Sequence, residues 1–286
     1  MHKICGINDD WPAFEKNIIK HSVDYVKTSG VKSLIIGLSG GIDSTLTCAL
    51  ARKVCNQLGI KLIGVSLPSV WNKVEEVNNA DITGESFCDE FHTYQIENLS
   101  RRITIKLTEG KYSAIKDEKV DPVAYHQLKI RRGNAAARLR MIFLYNIAHE
   151  NDGLVLSTDN FTEYLLGFWT LHGDVGDLGM IQSLWKTEVY GLASYMLVEE
   201  LAKDKRSWKA HALHVASRAV PTDGLGVSTT DMDQLGAESY EEVDKILVAY
   251  LNGYAVKLSH PVIKRHLRTR FKRNNPYNLR REDIIT

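Results

Sequence analysis

Ser39-Gly40-Gly41-Ile42-Asp43-Ser44 packs two hydroxyls, two adjacent glycines and a carboxylate into six residues, between the apolar run Leu34-Ile35-Ile36-Gly37-Leu38 and a helical stretch. Such a turn brings backbone N–H groups close to an anion, and the following helix adds the positive end of its dipole. Ser39 and Ser44 add hydroxyl donors, so the segment predicts a phosphate cradle. A carboxylate beside phosphates repels them unless a cation lies between, and Asp43 therefore predicts a bound Mg²⁺. No Lys follows the last glycine, which separates the loop from the GxxxxGK[ST] arrangement that holds a γ-phosphate for transfer.

Two later stretches carry further chemistry. In Gly133-Asn134-Ala135-Ala136-Ala137-Arg138-Leu139-Arg140-Met141, two arginines stand two apart on a predicted helix and point about 160° away from each other. They do not grip one group; one is expected to be a ligand clamp and the other structural. Ser157-Thr158-Asp159-Asn160 follows a short buried strand, where ligand-binding residues of α/β sheets belong. Glu163 comes just after and is placed to share one Mg²⁺ with Asp43. Asp174 and Asp177, in Thr170-Leu171-His172-Gly173-Asp174-Val175-Gly176-Asp177, read more simply as turn formers than as ligands when taken alone.

The elements that must position these groups are legible as an alternation. Helices are predicted over Trp11–Lys27, Thr45–Leu58 (closed by Gly59), Asn72–Phe87, Asn134–Glu150 and Lys186–Lys203, with more near Ser207–Ser217 and Glu238–Asn252. Strands are predicted at the Leu34 run, Lys61–Leu67, Phe91–Ile96 and Gly153–Ser157. This pattern implies an α/β fold, a doubly wound parallel sheet covered on both faces, with a helical C-terminal elaboration. One domain is expected over residues 1–286. Its sheet core runs over about 22–200, and its helical part, with a lid, over about 201–286.

Composition sets the bounds. Of 286 residues, 44% are hydrophobic and 25% charged, enough for a substantial core. A net charge of +1 makes the chain as a whole a poor match for nucleic acid or acidic membranes. No apolar run approaches a membrane span, and Met1–Asp10 lacks the core of a signal peptide, so a cytoplasmic protein is expected. Cys5, Cys48, Cys55 and Cys88 show no CxxC spacing and are expected to be reduced; Cys48 and Cys55, seven apart, share a helix face as small buried residues. His211 and His214 stand i, i+3 without an evident third ligand, and a packed or solvated pair is expected.

SGGIDS after a strand resembles the pyrophosphate loop of the N-type ATP pyrophosphatases. The ordered set is longer: SGGIDS, GNAAARLRM, STDNxxE with GxxT and GD, Leu184-Trp185-Lys186-Thr187-Glu188-Val189, Pro221-Thr222, and Lys272-Arg273 before Pro276. From about Ser22 to Pro276 this set resembles the NAD⁺ synthetases, of the adenine nucleotide alpha-hydrolase-like, Rossmann-like superfamily. The resemblance implies a Mg²⁺-dependent ligase in which ATP adenylates the nicotinate carboxylate of deamido-NAD⁺, and ammonia then displaces AMP. It gives Gly37, Leu38, Ser39, Gly40, Gly41, Ile42, Asp43, Ser44, Thr158, Lys186 and Thr222 to ATP, and Asp43 and Glu163 to the metal. Arg138, Asp177 and Lys272 fall at positions for deamido-NAD⁺, and Asp174 where ammonia arrives; Asp43, Asp174 and Lys186 are the implied catalytic set. The family also implies a homodimer.

Several positions depart from the family pattern. Ser157 replaces a Gly, Leu171 stands where a dinucleotide-binding Lys is common, and Phe271 replaces the His of a His-Lys pair. The loop after Asp174 is one residue short, and the segment between Lys186 and Thr222 is long. ATP handling is expected to be intact and dinucleotide recognition remodelled. Pro221–Gly236 is the expected lid over the adenylate. The short stretch before Ser39 predicts no glutaminase domain, and so free ammonia or a separate protein as donor. The basic segment from Lys264 to Arg281 fits closure over dinucleotide phosphates better than RNA binding. Two other readings stay open: an ATP pyrophosphatase modifying a tRNA base, and a non-catalytic nucleotide sensor of the same fold.

Overall fold

Leu34, Ile35 and Ile36 are wholly buried on β1 (Ser33–Gly37), the middle strand of a five-stranded sheet, because helices cover both of its faces. The computed structural model describes residues 6–69, 72–108, 121–222, 226–227 and 230–285. α1 (Trp11–Ser29) leads into β1, and α2 (Ile42–Leu58), β2 (Lys61–Ser66), α3 (Val74–Phe87) and β3 (Glu90–Thr93) extend the sheet to one side. α4 (Glu97–Thr108) and α5 (Pro122–Glu150) precede β4 (Gly153–Ser157), which pairs with the free edge of β1, followed by α6 (Phe161–Leu166), β5 (Leu178–Gly179) and α7 (Lys186–Lys203). The remainder is α8 (Trp208–Arg218), α9 (Asp231–Leu235), α10 (Tyr240–Leu251), α11 (Pro261–Arg268), α12 (Arg270–Arg273) and α13 (Arg281–Ile284).

The strand order is β3-β2-β1-β4-β5, parallel throughout, so the doubly wound sheet is as expected. Ser33 aligns with Gly153 across the β1–β4 seam, where Ser33 Oγ also donates to the Asn151 carbonyl at 2.8 Å. At this seam the chain reverses its direction of travel across the sheet, and the carboxyl ends of the two strands open a crevice. One face is packed by α1, α2, α7 and α8, with Leu46, Leu50, Val54, Leu192 and Leu213 at its centre; the other by Leu139, Leu144 and Ile147 of α5. A third cluster joins Leu165, Leu166 and Trp185 to Val243 and Leu247 of α10 and Val262 of α11. Each such fully buried side chain contributes roughly 1.5–3 kcal/mol.

Three boundaries differ from the sequence reading by three residues or more. α2 starts at Ile42, not Thr45, and so takes Asp43 and Ser44 into its first turn. α5 starts at Pro122, twelve residues before Asn134, and runs straight through Gly133. Its start was signalled by Asp121-Pro122, since the Asp121 carboxylate accepts from the Ala124 N–H at 2.9 Å and Pro suits the first helical position. β3 ends at Thr93 because the chain turns into α4 at Glu97, with Ile96 buried at the bend. Cys48 and Cys55 are buried as expected; burial raises both thiols, Cys55 to about 12. Cys5 lies outside the described residues. No helix among the described residues is long and apolar enough to cross a membrane.

Candidate active site

The segment after β1 forms a closed set of small hydrogen bonds. Ser44 Oγ donates to the Gly41 carbonyl at 3.1 Å and accepts from the Ser39 N–H at 3.3 Å, while Ser39 Oγ accepts from the Gly41 N–H at 3.3 Å. Gly40 has φ +79°, and a Cβ there would collide with the Glu76 carbonyl of α3, so both conformation and space require glycine. Gly41 caps α2 with no side-chain acceptor on the first-turn N–H groups, the arrangement an anion would use.

Lys186 meets two carboxylates at the floor. Its ammonium is ion-paired with Asp43 of α2 and, at 3.2 Å, with Glu163 of α6, and it lies 5.0 Å from the centre of the Tyr240 ring. The Lys186 side chain is 3% exposed. Burial works against its charge, but Asp43 and Glu163 outweigh burial and hold it protonated well above the ordinary range. Burial pushes the Glu163 carboxyl up to about 7, with Lys186 pulling the other way.

The three groups are held by partners far away in sequence. Asn160 caps α6 by accepting from the Glu163 N–H at 3.0 Å, and its amide donates to Asp43 Oδ1 at 2.8 Å. The Lys186 N–H, at the start of α7, donates to Thr162 Oγ1 at 2.9 Å, and that hydroxyl donates to Asp244 of α10 at 2.6 Å. Asp244, wholly buried, also accepts from the Thr187 N–H and hydroxyl at 3.0 and 2.8 Å, completing the end of α7.

Above this floor lies a cavity of about 760 Å³. Gly37 to Ser44, Thr158, Glu163, Asp174, Lys186, Thr222 and Lys272 all line it, so most of the expected site residues converge on one space. Thr222 Oγ1 donates to Glu76 Oε1 at 2.6 Å. Asp174 accepts from the Thr170 N–H, and burial raises its carboxyl against the opposing effects of Thr170 and Arg140. Lys272 donates to the Gly167 carbonyl at 2.8 Å and to that of Trp169; burial, then Arg265, push it down to about 8.

Arg138 and Asp177 stand apart from the cavity wall. Arg138 is exposed and donates from Nε to the Leu171 carbonyl at 3.1 Å. Asp177 accepts from the Val155 N–H of β4 and from the Tyr145 hydroxyl, both at 2.9 Å. Of the two arginines it is Arg140 that lines the cavity; it donates to the Leu67 carbonyl at 3.1 Å and to Asn72 Oδ1 at 3.1 Å. The expected lid falls partly outside the described residues; among the rest, α9 buries Asp231 and Leu235. His211 and His214 are exposed on α8, and no group of three or more potential metal ligands occurs among the described residues.

Several wall and supporting residues were read from the sequence only as part of a longer segment, or not at all. Arg265 and Arg268 of α11, expected only as part of a basic segment closing over dinucleotide phosphates, line the cavity. Arg265 donates to the Leu166 carbonyl at 3.2 Å and lies over the Phe168 ring at 4.8 Å. Asn160 was expected at the ligand-binding edge with Ser157 to Asp159, without its bond to Asp43, and Asp244 carried no local signal.

Comparison with known proteins follows the same outline. The family model described as NAD synthase matches residues 15–276. The NH(3)-dependent NAD(+) synthetase of Thermoplasma acidophilum is 31% identical over 255 residues, spanning 87% of this chain and 91% of that protein. That of Wolinella succinogenes is 30% identical over 265 residues, 91% of this chain and 93% of the relative. Among solved structures, the NMN synthetase of Francisella tularensis superposes with a TM-score of 0.72 at 25% identity, covering 93% of this chain and 97% of that one.

Proposed function

Because this chain belongs to the NAD synthase family, we propose that it is an ammonia-dependent NAD⁺ synthetase, in which deamido-NAD⁺ is adenylated by ATP and amidated by ammonia. The observation that carries the reading is the buried Lys186 between Asp43 and Glu163, beside the Ser39 loop and at the floor of one cavity. The nicotinate carboxylate is already ionised, so its attack on the α-phosphorus needs no general base. The protein's task is to orient two anions and stabilise the departing pyrophosphate. Backbone N–H groups of the Ser39 loop and the hydroxyls of Ser39, Ser44, Thr158 and Thr222 would serve that task, and Arg265, Arg268 and Lys272, which line the same cavity, would be its cationic wall.

Two carboxylates that already converge on one cation, the Lys186 ammonium, suit Mg²⁺, which takes one or two protein carboxylates and completes its shell with phosphate oxygens and water. Asp43 and Glu163 would hold it, and when bound it neutralises phosphate charge. Asp174, buried in the loop after α6, is the carboxylate for incoming ammonia. Residues 221–236 are the lid that keeps water from the adenylate. The same reading includes a homodimer, for which the outer face of α5, with Ile142 and Tyr145 exposed, is an available apolar surface.

A second reading changes only the acceptor. Leu171 and Phe271 stand where the family's dinucleotide-binding Lys and His are usual, and the Francisella neighbour is an NMN synthetase. Under it, nicotinate mononucleotide is amidated to NMN.

Both are tested by incubating the protein with ATP, Mg²⁺ and ammonium plus either acceptor, with Asp43→Ala as control. NAD⁺ formed in equal amount with AMP and pyrophosphate, and lost in the control, supports the first reading. NMN in preference to NAD⁺ supports the second. Neither product from well-folded protein overturns both.

A further inference from the structure

The Lys186 ammonium is held from three directions, and only two of them are carboxylates. The third is the ring of Tyr240, at the start of α10, whose centre lies 5.0 Å from the Lys186 nitrogen. An aromatic face at that distance attracts a cation, most strongly where water is excluded, and both side chains are buried here. Tyr240 is not one of the described residues that line the cavity, so it acts on the site through its neighbours.

Its other end is engaged as well. The Tyr240 hydroxyl donates to Asp231 Oδ2 at 2.6 Å, and Asp231 is buried too. Asp231 lines the cavity, and its N–H donates to the Pro221 carbonyl at 3.3 Å. Pro221 and Thr222 line the same cavity, Thr222 at a position the family resemblance gives to ATP. One rigid side chain therefore meets the floor of the site with its face and the wall at Pro221 and Asp231 with its hydroxyl.

A tyrosine that served packing alone would need apolar neighbours for its ring and an acceptor for its hydroxyl. Tyr240 has both, in the cluster with Leu235, Val243 and Leu247 and in Asp231, yet it also turns a ring face to a charge. Four residues on, and so on the same side of α10, Asp244 accepts from Thr162 and Thr187, the neighbours in sequence of Glu163 and Lys186. Two successive turns of α10 thus grip the Lys186 region, its backbone through Asp244 and its ammonium through Tyr240. The lysine stem is flexible, and its charge stabilises a departing phosphate only if it is kept in place beforehand.

We propose that Tyr240 is a positioning residue for adenylation, fixing the Lys186 ammonium with its ring and joining it to the Asp231 wall with its hydroxyl. This rests on the reading of the chain as a ligase that adenylates a carboxylate with ATP, and it holds for either acceptor. The two ends have separable consequences. The ring governs rate, because Lys186 acts on charge that develops in the transition state. The hydroxyl governs the KM for ATP, because it steadies the wall the nucleotide meets.

Acceptor-dependent exchange of labelled pyrophosphate into ATP, without ammonium, reports adenylation, and a thermal melt reports the fold. Tyr240→Phe keeps the ring and removes the bond to Asp231; it is expected to raise the KM for ATP about tenfold with little change in kcat. Tyr240→Leu removes the ring as well, and is expected to lower kcat by about tenfold in addition. Asp231→Ala should raise the KM for ATP, and combining it with Tyr240→Phe should give less than the product of the two single effects, as a shared interaction requires. A tyrosine that only fills the core would lower the melting temperature and leave KM, and kcat per folded molecule, unchanged. An unaltered KM for ATP in folded Tyr240→Phe overturns the proposal, as does an unaltered kcat in folded Tyr240→Leu, or independent effects of Tyr240→Phe and Asp231→Ala. If Tyr240→Leu folds poorly, Tyr240→Phe and its combination with Asp231→Ala carry the test. Absence of exchange in the unaltered protein with either acceptor is a different failure: it defeats the parent reading, and the inference with it.

Discussion

The amide of Asn160 donates to Asp43 at 2.8 Å while its carbonyl oxygen accepts from the Glu163 N–H at 3.0 Å and its backbone N–H donates to the Glu163 carboxylate at 3.3 Å, so one residue joins the two candidate metal carboxylates. It sets their relative position from two different helices. Asn160→Ala is expected to cost about 1 kcal/mol from the lost cap alone. Because the carboxylates then move independently, kcat should fall about tenfold or more, with a raised requirement for Mg²⁺. A thermal melt and a Mg²⁺ titration of activity check both; normal Mg²⁺ dependence would show that Asn160 only caps α6.

Lys186 is the only cation joined to Asp43 and Glu163 among the described residues, and its burial makes the three charges interdependent. Lys186→Met should abolish turnover and destabilise the fold by about 3–5 kcal/mol, since it leaves buried carboxylates unpaired. Adding Asp43→Asn to that variant should restore part of the stability and none of the activity. Urea unfolding of the two variants is the check, and equal stabilities would show that the ion pair contributes no more than a surface one.

The two arginines of α5 should separate cleanly. Arg140 serves Leu67, Ser69 and Asn72, the segment between β2 and α3, so Arg140→Ala should lower stability by about 2–4 kcal/mol and raise the KM for ATP. Arg138 is exposed with one backbone bond, so Arg138→Ala should shift stability by less than about 0.5 kcal/mol and raise the KM of the pyridine nucleotide. An unchanged acceptor KM would remove Arg138 from the site.

Lys272 is lowered to about 8 from 10.5, chiefly by burial. Between those values the folded protein has released a proton that the unfolded chain still binds, so this group makes stability rise with pH across the interval and adds no slope below it. Competitive amine labelling against pH should show Lys272 becoming reactive near pH 8. Lys32, raised by Asp152, should become reactive only above the ordinary lysine range. Labelling of Lys272 with an ordinary lysine profile would contradict its burial against Trp169.

Much of the site was readable because its chemistry is contiguous: Ser39 to Ser44 needs its hydroxyls, glycines and carboxylate within one turn, and the alternation around it named the sheet. Asp244 was invisible for the opposite reason, since it acts on Thr162 from 82 residues away and is an unremarkable acid in its own helix. Arg265 and Arg268 were expected within a basic segment closing over dinucleotide phosphates but not singled out from its other cations, because charge along a segment does not say which side chains face the cavity. The start of α5 was missed although Asp121-Pro122 signals it, as the residues ahead of Asn134 are polar and weakly periodic. Asp177 illustrates a different limit: the sequence pattern offered a ligand role, and the fold shows it engaged with β4 and Tyr145.

The seam between β1 and β4 has a consequence for synthesis. Ser33 reaches Asn151 across 118 residues, and the Ser39 loop waits for Glu163 and Lys186 from beyond that seam. As the chain leaves the ribosome, β1, β2 and β3 can assemble early while the inner edge of β1 stays uncovered. That edge is apolar on both faces and unpaired until β4 arrives, a period of exposure that scales with the length of chain still to be made. Truncations ending before Gly153 should therefore accumulate as insoluble protein, and slow translation between β3 and β4 should lower the yield of soluble enzyme more than equal slowing after α7.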